Sequence, residues 1–335
     1  MYNFQSDTMG RPIILNEGLL HEAFLPQNTL CRDSHKNEIL NCLSPIKTGN
    51  LARNLYVYGS PGAGKSTVVR SVLRDHFKDM HVYVNCWSNR TSHKVMEAIL
   101  SQMGFMIHGK ESTSELIRKF ERLKRKVIIC LDEADHLKDN DLLYTFTRNS
   151  CPLILISNYS YSPINMDNRI RSSLHLHEVE FGGYDSHEIT QILQDRIDSG
   201  LHPQSISDDL ISEIARSSGG DARASIQILK NAAIDAESRG AKTIALDHVK
   251  IATKCARKYR LSYLLRKLNE HQQTLYELLK QNKVMDSGRL FNQYRKSMNE
   301  TVTDRSYRNY MTKMVELGLV RQIGSGRWKK YEVAL

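Results

Sequence analysis

The stretch Leu55-Tyr56-Val57-Tyr58-Gly59-Ser60-Pro61-Gly62-Ala63-Gly64-Lys65-Ser66 decides how this chain is read. A short apolar run enters a glycine-rich turn that ends in a lysine and a hydroxyl, and a helix-like segment, Thr67 to Phe77, follows. Strand, glycine loop, lysine, hydroxyl and helix in that order is the full context a phosphate-binding loop requires. Glycines admit backbone geometry closed to other residues and let the main chain approach phosphate oxygens. Successive N–H groups and the helix N-terminus then form a cradle of positive partial charge. Gly59, Ser60, Pro61, Gly62, Ala63, Gly64, Lys65, Ser66 and Thr67 are therefore the candidate set for a nucleoside triphosphate. Lys65 suits the β- and γ-phosphates, and the Ser66 hydroxyl suits a Mg²⁺ ion.

Downstream, Lys126-Val127-Ile128-Ile129-Cys130-Leu131-Asp132-Glu133 reads as a strand buried on both faces of a parallel sheet. It ends in two carboxylates, where the C-terminal edge of such a sheet places them beside a bound nucleotide. Asp132 suits the Mg²⁺ shell, directly or through water, and Glu133 suits a general base for water. A second apolar strand, Pro152 to Ser157, ends in Asn158, whose amide can reach the γ-phosphate or the attacking water. Val82 to Cys86 and His175 to Phe181 complete a series of strands that alternate with helical segments, the signature of a parallel α/β sheet.

After residue 182 the pattern becomes helical, with segments at about Ser186–Asp198, Ser207–Ser217, Ala222–Arg239 and Ala245–Arg260. Asp221 is a good N-cap for the third of these. Arg223 sits in that helix's first turn, where a cation opposes the dipole, beside Gly219-Gly220; this makes it a candidate phosphate ligand. The expected organisation is a mobile N-terminus at 1–15, an α/β nucleotide domain at 16–182, an all-helical domain at 183–262 and a C-terminal module at 268–335.

That last module reads as a winged helix. Glu270–Gln281 has a helical apolar face, Asp286 can cap a helix at Ser287–Met298, and Thr303 or Asp304 can cap a third running to Leu317. Met311, Met314, Val315 and Leu317 point inward on this reading, and Arg305, Arg308, Asn309 and Lys313 outward, with Tyr307 and Tyr310 between them. Leu319–Ile323 and Trp328–Val333 form a hairpin whose tip carries Arg327, with Lys329 and Lys330 behind it. Arginine and asparagine on a helix can read major-groove base edges, a basic hairpin tip can enter the minor groove, and the lysines suit phosphates. The DNA-binding candidates are thus Arg305, Tyr307, Arg308, Asn309, Lys313, Arg327, Lys329 and Lys330.

Charge supports this division. The formal charge is +10 over 335 residues, yet residues 250–335 hold a net +12 and the remainder a net −2. Such asymmetry is an electrostatic footprint for nucleic acid. No apolar run is long enough for a membrane span, and the first residues lack the basic and apolar regions of a signal peptide. The six cysteines fall in no C-x-x-C pair and no ligand spacing with histidine, as expected of reduced thiols in a cytoplasmic, nucleoid-associated protein. His136, beside the strand-end acids, is given no role.

Taken together these residues resemble an AAA+ ATPase: the P-loop, Leu131-Asp132-Glu133 as Walker B, Asn158 as the first sensor and Gly220-Asp221-Ala222-Arg223 as the second. More closely the chain resembles the archaeal replication initiators related to the eukaryotic origin recognition complex and its cell-division-cycle loader. Phe24-Leu25-Pro26 through Arg32-Asp33, Val84-Asn85-Cys86 and Asn168-Arg169-Ile170-Arg171-Ser172-Ser173-Leu174 carry that likeness, which runs from about Glu22 to the C-terminus. It implies ATP or ADP with Mg²⁺ between the sheet domain and a helical lid, with Leu30 and Arg32 near the adenine. It implies that an arginine reaches a neighbouring subunit's nucleotide, a position Arg169 matches better than Arg171. The family also carries a helical insertion that contacts DNA; here the corresponding 104–113 is short and poor in basic residues. The implied function is an ATP-regulated initiator with slow hydrolysis, which recognises origin double-stranded DNA, helps load the replicative helicase and meets other initiator subunits on DNA. A branch-migration type DNA motor and a nucleotide-gated transcription regulator remain as alternative readings.

Overall fold

The computed structural model describes residues 12–123, 126–139, 141–158, 172–266, 268–298 and 302–334. They form two compact units that divide between Val249 and Lys250. In the first, five strands make one parallel sheet: β1 (Leu55–Gly59), β2 (His81–Asn85), β3 (Ile128–Asp132), β4 (Leu153–Ser157) and β5 (His177–Phe181), in the order β2-β3-β4-β1-β5. Every residue of β3 and β4 is buried, as a near-continuous apolar run in a parallel sheet demands. Alternate residues serve opposite faces. Ile129 and Leu131 pack with helices α3 (Ser92–Gln102), α4 (Thr113–Arg122) and α5 (Asp141–Arg148), whereas Ile128 and Cys130 pack with α1 (Asp33–Leu43) and α2 (Lys65–His76).

The α/β reading of the first unit is borne out, with local differences. Helix α2 begins at Lys65, inside the glycine loop, because Gly64 takes the N-cap position with φ 91°. Helix α5 was not expected; Leu142, Leu143 and Phe146, all buried, are the pattern that marks it. Of the segment 104–113 matched above to a helical insertion, residues 104–112 contain no helix, and Thr113 opens α4.

The sheet is followed by a helical lid: α6 (Ser186–Gly200), α7 (Asp208–Ser217), α8 (Ala222–Ser238) and α9 (Leu246–Arg266). Asp185 and Glu188 form a full capping box on α6, and Asp221 caps α8 by accepting from the Ala224 amide. The expectation of a mobile segment through residue 15 is corrected for its last residues. Ile13 is buried, Ile14 bridges to Leu201, and the Ile14 amide donates to Glu237 at 2.8 Å, so the chain enters the fold by docking on the lid. Residues 1–11 lie outside the described ones.

Helix α9 is also longer than its sequence suggested, running to Arg266. No glycine or proline interrupts it, and Leu261, Leu264 and Leu265 pack on the core of the second unit. There α10 (Glu270–Asn282), α11 (Ser287–Ser297) and α12 (Asp304–Glu316) pack with an antiparallel sheet of β6 (Val284–Asp286), β7 (Val320–Ile323) and β8 (Lys330–Val333), ordered β6-β8-β7. Three helices followed by a hairpin appear in the order expected from the sequence, and β6 is an addition to it. Thr303 caps α12, whereas the Asp286 side chain makes no cap bond and instead lies 3.7 Å from Lys330.

One proposed DNA contact is overturned. Tyr307 is buried at 2% exposure, and its hydroxyl donates to the Ser287 carbonyl at 3.0 Å. It shares with Met311 and Met314 the inward stripe that positions four and three apart create on a helix. Tyr307→Ala should therefore destabilise the second unit by about 3 kcal/mol, read as faster amide exchange across α10–α12 in the full chain. Arg308→Ala, at an exposed position, should leave that exchange unchanged.

Candidate nucleotide site and nucleic-acid interface

The first site forms where the glycine loop, the ends of β3 and β4, and the start of α8 converge. Lys65 is buried at 6% exposure, and its ammonium donates to the carbonyls of Gly59 at 2.7 Å and Ser60 at 2.9 Å and to Asn158 Oδ1 at 3.0 Å. The predicted lysine and amide are thus brought into direct contact. Burial pushes the ammonium down to about 8, against the pull of Asp132. Arg223 pushes in the same direction as burial, while Asp135 and Asp221 act with Asp132.

At the end of β3 the Asp132 carboxylate is buried and held by two donors, the Tyr83 hydroxyl on Oδ2 and the Glu133 amide on Oδ1 at 2.8 Å. Tyr83 comes from β2, the strand paired beside β3, and sequence reading did not find it. Its alternation with the buried Val82 and Val84 was the available signal, since it places the Tyr83 ring on the opposite face of the sheet. Glu133 is half-buried and adopts the left-handed region with φ 52°, costly for any residue with a Cβ, as β3 bends into the turn Ala134–His136. Asp135 Oδ1 is buried without a hydrogen-bond partner. A carboxylate at a strand end, a hydroxyl on Ser66 in the first turn of α2 and this orphaned acceptor fit a hydrated Mg²⁺, which takes few protein ligands and keeps its waters.

The lid closes the other side by touching the loop. The Ala222 amide, first in α8, donates to the Gly62 carbonyl at 3.2 Å. A Cβ on Gly62 would collide with the Asp221 carboxylate, and one on Gly64 with the Tyr184 hydroxyl. Arg223 lies in the first turn of α8, largely exposed, with its Nε 3.5 Å from Glu22. Arg32 is buried; it donates to the carbonyls of Ala63 at 3.1 Å and Gly182 at 2.6 Å, and stacks on the Tyr184 ring at 3.8 Å. Its guanidinium is a strut between loop and lid, with the half-buried Leu30 two residues away. Arg169 and Arg171 lie outside the described residues.

In the second unit, Arg305, Arg308, Asn309 and Lys313 are all exposed on the face of α12 opposite Tyr307, and Arg308 pairs with Asp304 at 2.5 Å. Lys330 is exposed at the start of β8, and Lys329 is half-buried, its carbonyl accepting from Ser287. The side chain of Arg327 lies outside the described ones. Next to it Trp328, which the sequence reading used only to start a strand, is 84% exposed in the turn Gly326–Trp328.

Two families match the chain: an AAA domain over residues 49–163 and a Cdc6 AAA+ ATPase-type lid domain over residues 190–254. An ORC1-type DNA replication protein of Haloarcula marismortui is 30% identical over 288 residues, spanning 77% of this chain and 70% of its own. Another, from Halobacterium salinarum, is 28% identical over 337 residues and covers 96% of this chain and 94% of its own. The solved structure of the Aeropyrum pernix ORC1 protein in complex with DNA shares 27% identity and a TM-score of 0.70, over 96% of this chain and 94% of that one.

The lysine gives the phosphate site a pH dependence with a definite sign. Without ligand Lys65 loses its proton near pH 8, and an adjacent triphosphate raises that value by charge attraction. Binding therefore takes up a proton above pH 8 and none well below it. Affinity for ATP should fall about tenfold per pH unit above 8. Calorimetry at pH 9 in buffers of different ionisation enthalpy should register an uptake approaching one proton per nucleotide, and at pH 6.5 close to none.

Proposed function

Because this chain belongs to the ORC1-type DNA replication proteins, we propose that it is an ATP-regulated initiator that recognises origin duplex DNA through its second unit and helps bring in the replicative helicase. The observation that carries this reading is the seat of α8 on the glycine loop: the lid's first free amide bonds the Gly62 carbonyl, so a nucleotide cannot enter without being felt by the lid.

The residues divide the work of a slow hydrolysis. The amides at the start of α2 and the Lys65 ammonium hold the phosphates, and to do so Lys65 exchanges its bonds to Gly59 and Ser60 for phosphate oxygens. Asn158, whose Oδ1 accepts from Lys65, orients it and donates its amide N–H toward the γ-phosphate. Ser66 and Asp132 would hold Mg²⁺, which neutralises charge on the β- and γ-phosphates. With both Asp132 oxygens engaged by Tyr83 and Glu133, that carboxylate acts best through the ion's waters. Glu133 takes the proton of the attacking water. Arg223 leaves its exposed pairing with Glu22, worth little in water, for the γ-phosphate. Arg305, Arg308, Asn309 and Lys313 on α12 read and clamp duplex DNA, with Lys329, Lys330 and the hairpin tip on its backbone.

Glu133→Gln should keep ATP affinity within about twofold and lower turnover by at least a hundredfold; turnover at the wild-type rate removes Glu133 from the mechanism. For DNA, duplexes from near the protein's own gene are compared with scrambled duplexes at physiological salt. Preference for a recurring local motif, reduced about 10- to 100-fold by Arg308→Ala, is the expected result. Equal binding to every duplex overturns the initiator reading.

A further inference from the structure

The positive excess of the second unit is concentrated away from its reading head. Residues 268–335, which form α10–α12 and the hairpin, hold 12 Lys/Arg against 7 Asp/Glu. Residues 250–267 hold 7 Lys/Arg and no carboxylate at all. More than half of the net +12 thus sits on the stretch that enters the unit, and six of those seven cations are on α9.

Four of them are arranged. Lys250, Lys254, Arg257 and Lys258 follow one another at helical spacing, so they share a single face, and all four are exposed. Among the described residues none of the four pairs with a carboxylate. Uncompensated like charges four apart destabilise a helix, so nothing inside this unit explains their gathering. Tyr259, 78% exposed, falls on the opposite side of the cylinder. The basic face itself is flanked by Leu246 and Ile251, each less than half exposed, with no aromatic among the described side chains to insert as a membrane-surface helix would. From Lys250 to Lys258 the helix rises about 12 Å, which covers about four successive phosphates of one strand, whose three intervals of about 3.4 Å of axis rise come to about 10 Å.

We propose that this face of α9 is a second, sequence-independent contact to duplex DNA, a rail of Lys250, Lys254, Arg257 and Lys258 that neutralises backbone phosphates while α12 supplies selectivity. The proposal rests on the reading of the second unit as a duplex binder. Its cations add affinity by releasing counterions and add no discrimination between sequences.

The test uses the full chain with K250Q/K254Q/R257Q/K258Q, glutamine being a good helix former, and measures binding to motif and scrambled duplexes between about 50 and 200 mM salt. Four lost phosphate contacts should lower the slope of log affinity against log salt by about three to four, with the ratio of motif to scrambled affinity unchanged. Arg308→Ala should do the converse, collapsing the ratio while moving the slope by about one at most. K250R/K254R/K258R keeps every charge and should keep the wild-type slope, so a fall seen there too means a folding defect and overturns the rail. A slope change below about one in the glutamine variant overturns it as well, with the reading of α12 left intact. A wild-type protein that binds no duplex overturns both.

Discussion

A lysine that is almost sealed from water is the constraint around which the first unit is built. A buried ammonium is tolerated only when its donors are met, and Lys65 meets them with two carbonyls of its own loop and the Asn158 amide oxygen. Those partners fix three things at once: the curl of the glycine loop, the register of β1 against β4, and the distance from the loop to the acids at the end of β3. The arrangement is a compromise between hydrogen bonding and burial of the charge. It satisfies the cation well enough to fold and poorly enough, at a pKa near 8, that an anion is a better partner.

The groups around that lysine have unequal freedom. Asp132 and Asn158 stand at the ends of strands buried on every residue, in the part of the fold that opens last. Arg223 and Asp221 belong to a helix that meets the loop through the Ala222 amide on the Gly62 carbonyl and the close approach of Asp221 to Gly62. On the proposed division of roles, chemistry falls to the sheet side of the site and sensing to the lid side. Arg32 bridges the two by stacking on Tyr184 while bonded to both Ala63 and Gly182.

Most of this site was legible because its signals are local: a glycine pattern between a strand and a helix, acids closing an apolar run, an arginine where the helix dipole disfavours one. What escaped detection depends on pairing between distant segments. Tyr83 matters through its neighbour in the sheet; Arg32 was singled out by the family likeness, but its part as a strut rests on carbonyls 31 and 150 residues away. Tyr307 was misplaced because an amphipathic ring between two arginines fits either face of a helix, and only the spacing to Met311 and Met314 assigns it. The end of α9 was set too early, at Arg260, because the leucines after it serve the core of the second unit and not that of the lid. A net charge summed over a segment located a footprint and could not say which helix face carried it.

Gly62 and Gly64 bear on how such sequences drift over time. Apart from any phosphate they would cradle, Gly62 is held by Asp221 and Gly64 by Tyr184, each pressed against the space a Cβ would fill. A lineage that ceased to hydrolyse ATP would still be penalised for replacing either glycine, because the lid could no longer seat. The motif that advertises the chemistry would outlive it, and the acids at the end of β3, where Asp132 is held from the sheet by Tyr83 and the Glu133 amide, would be the first to record the loss.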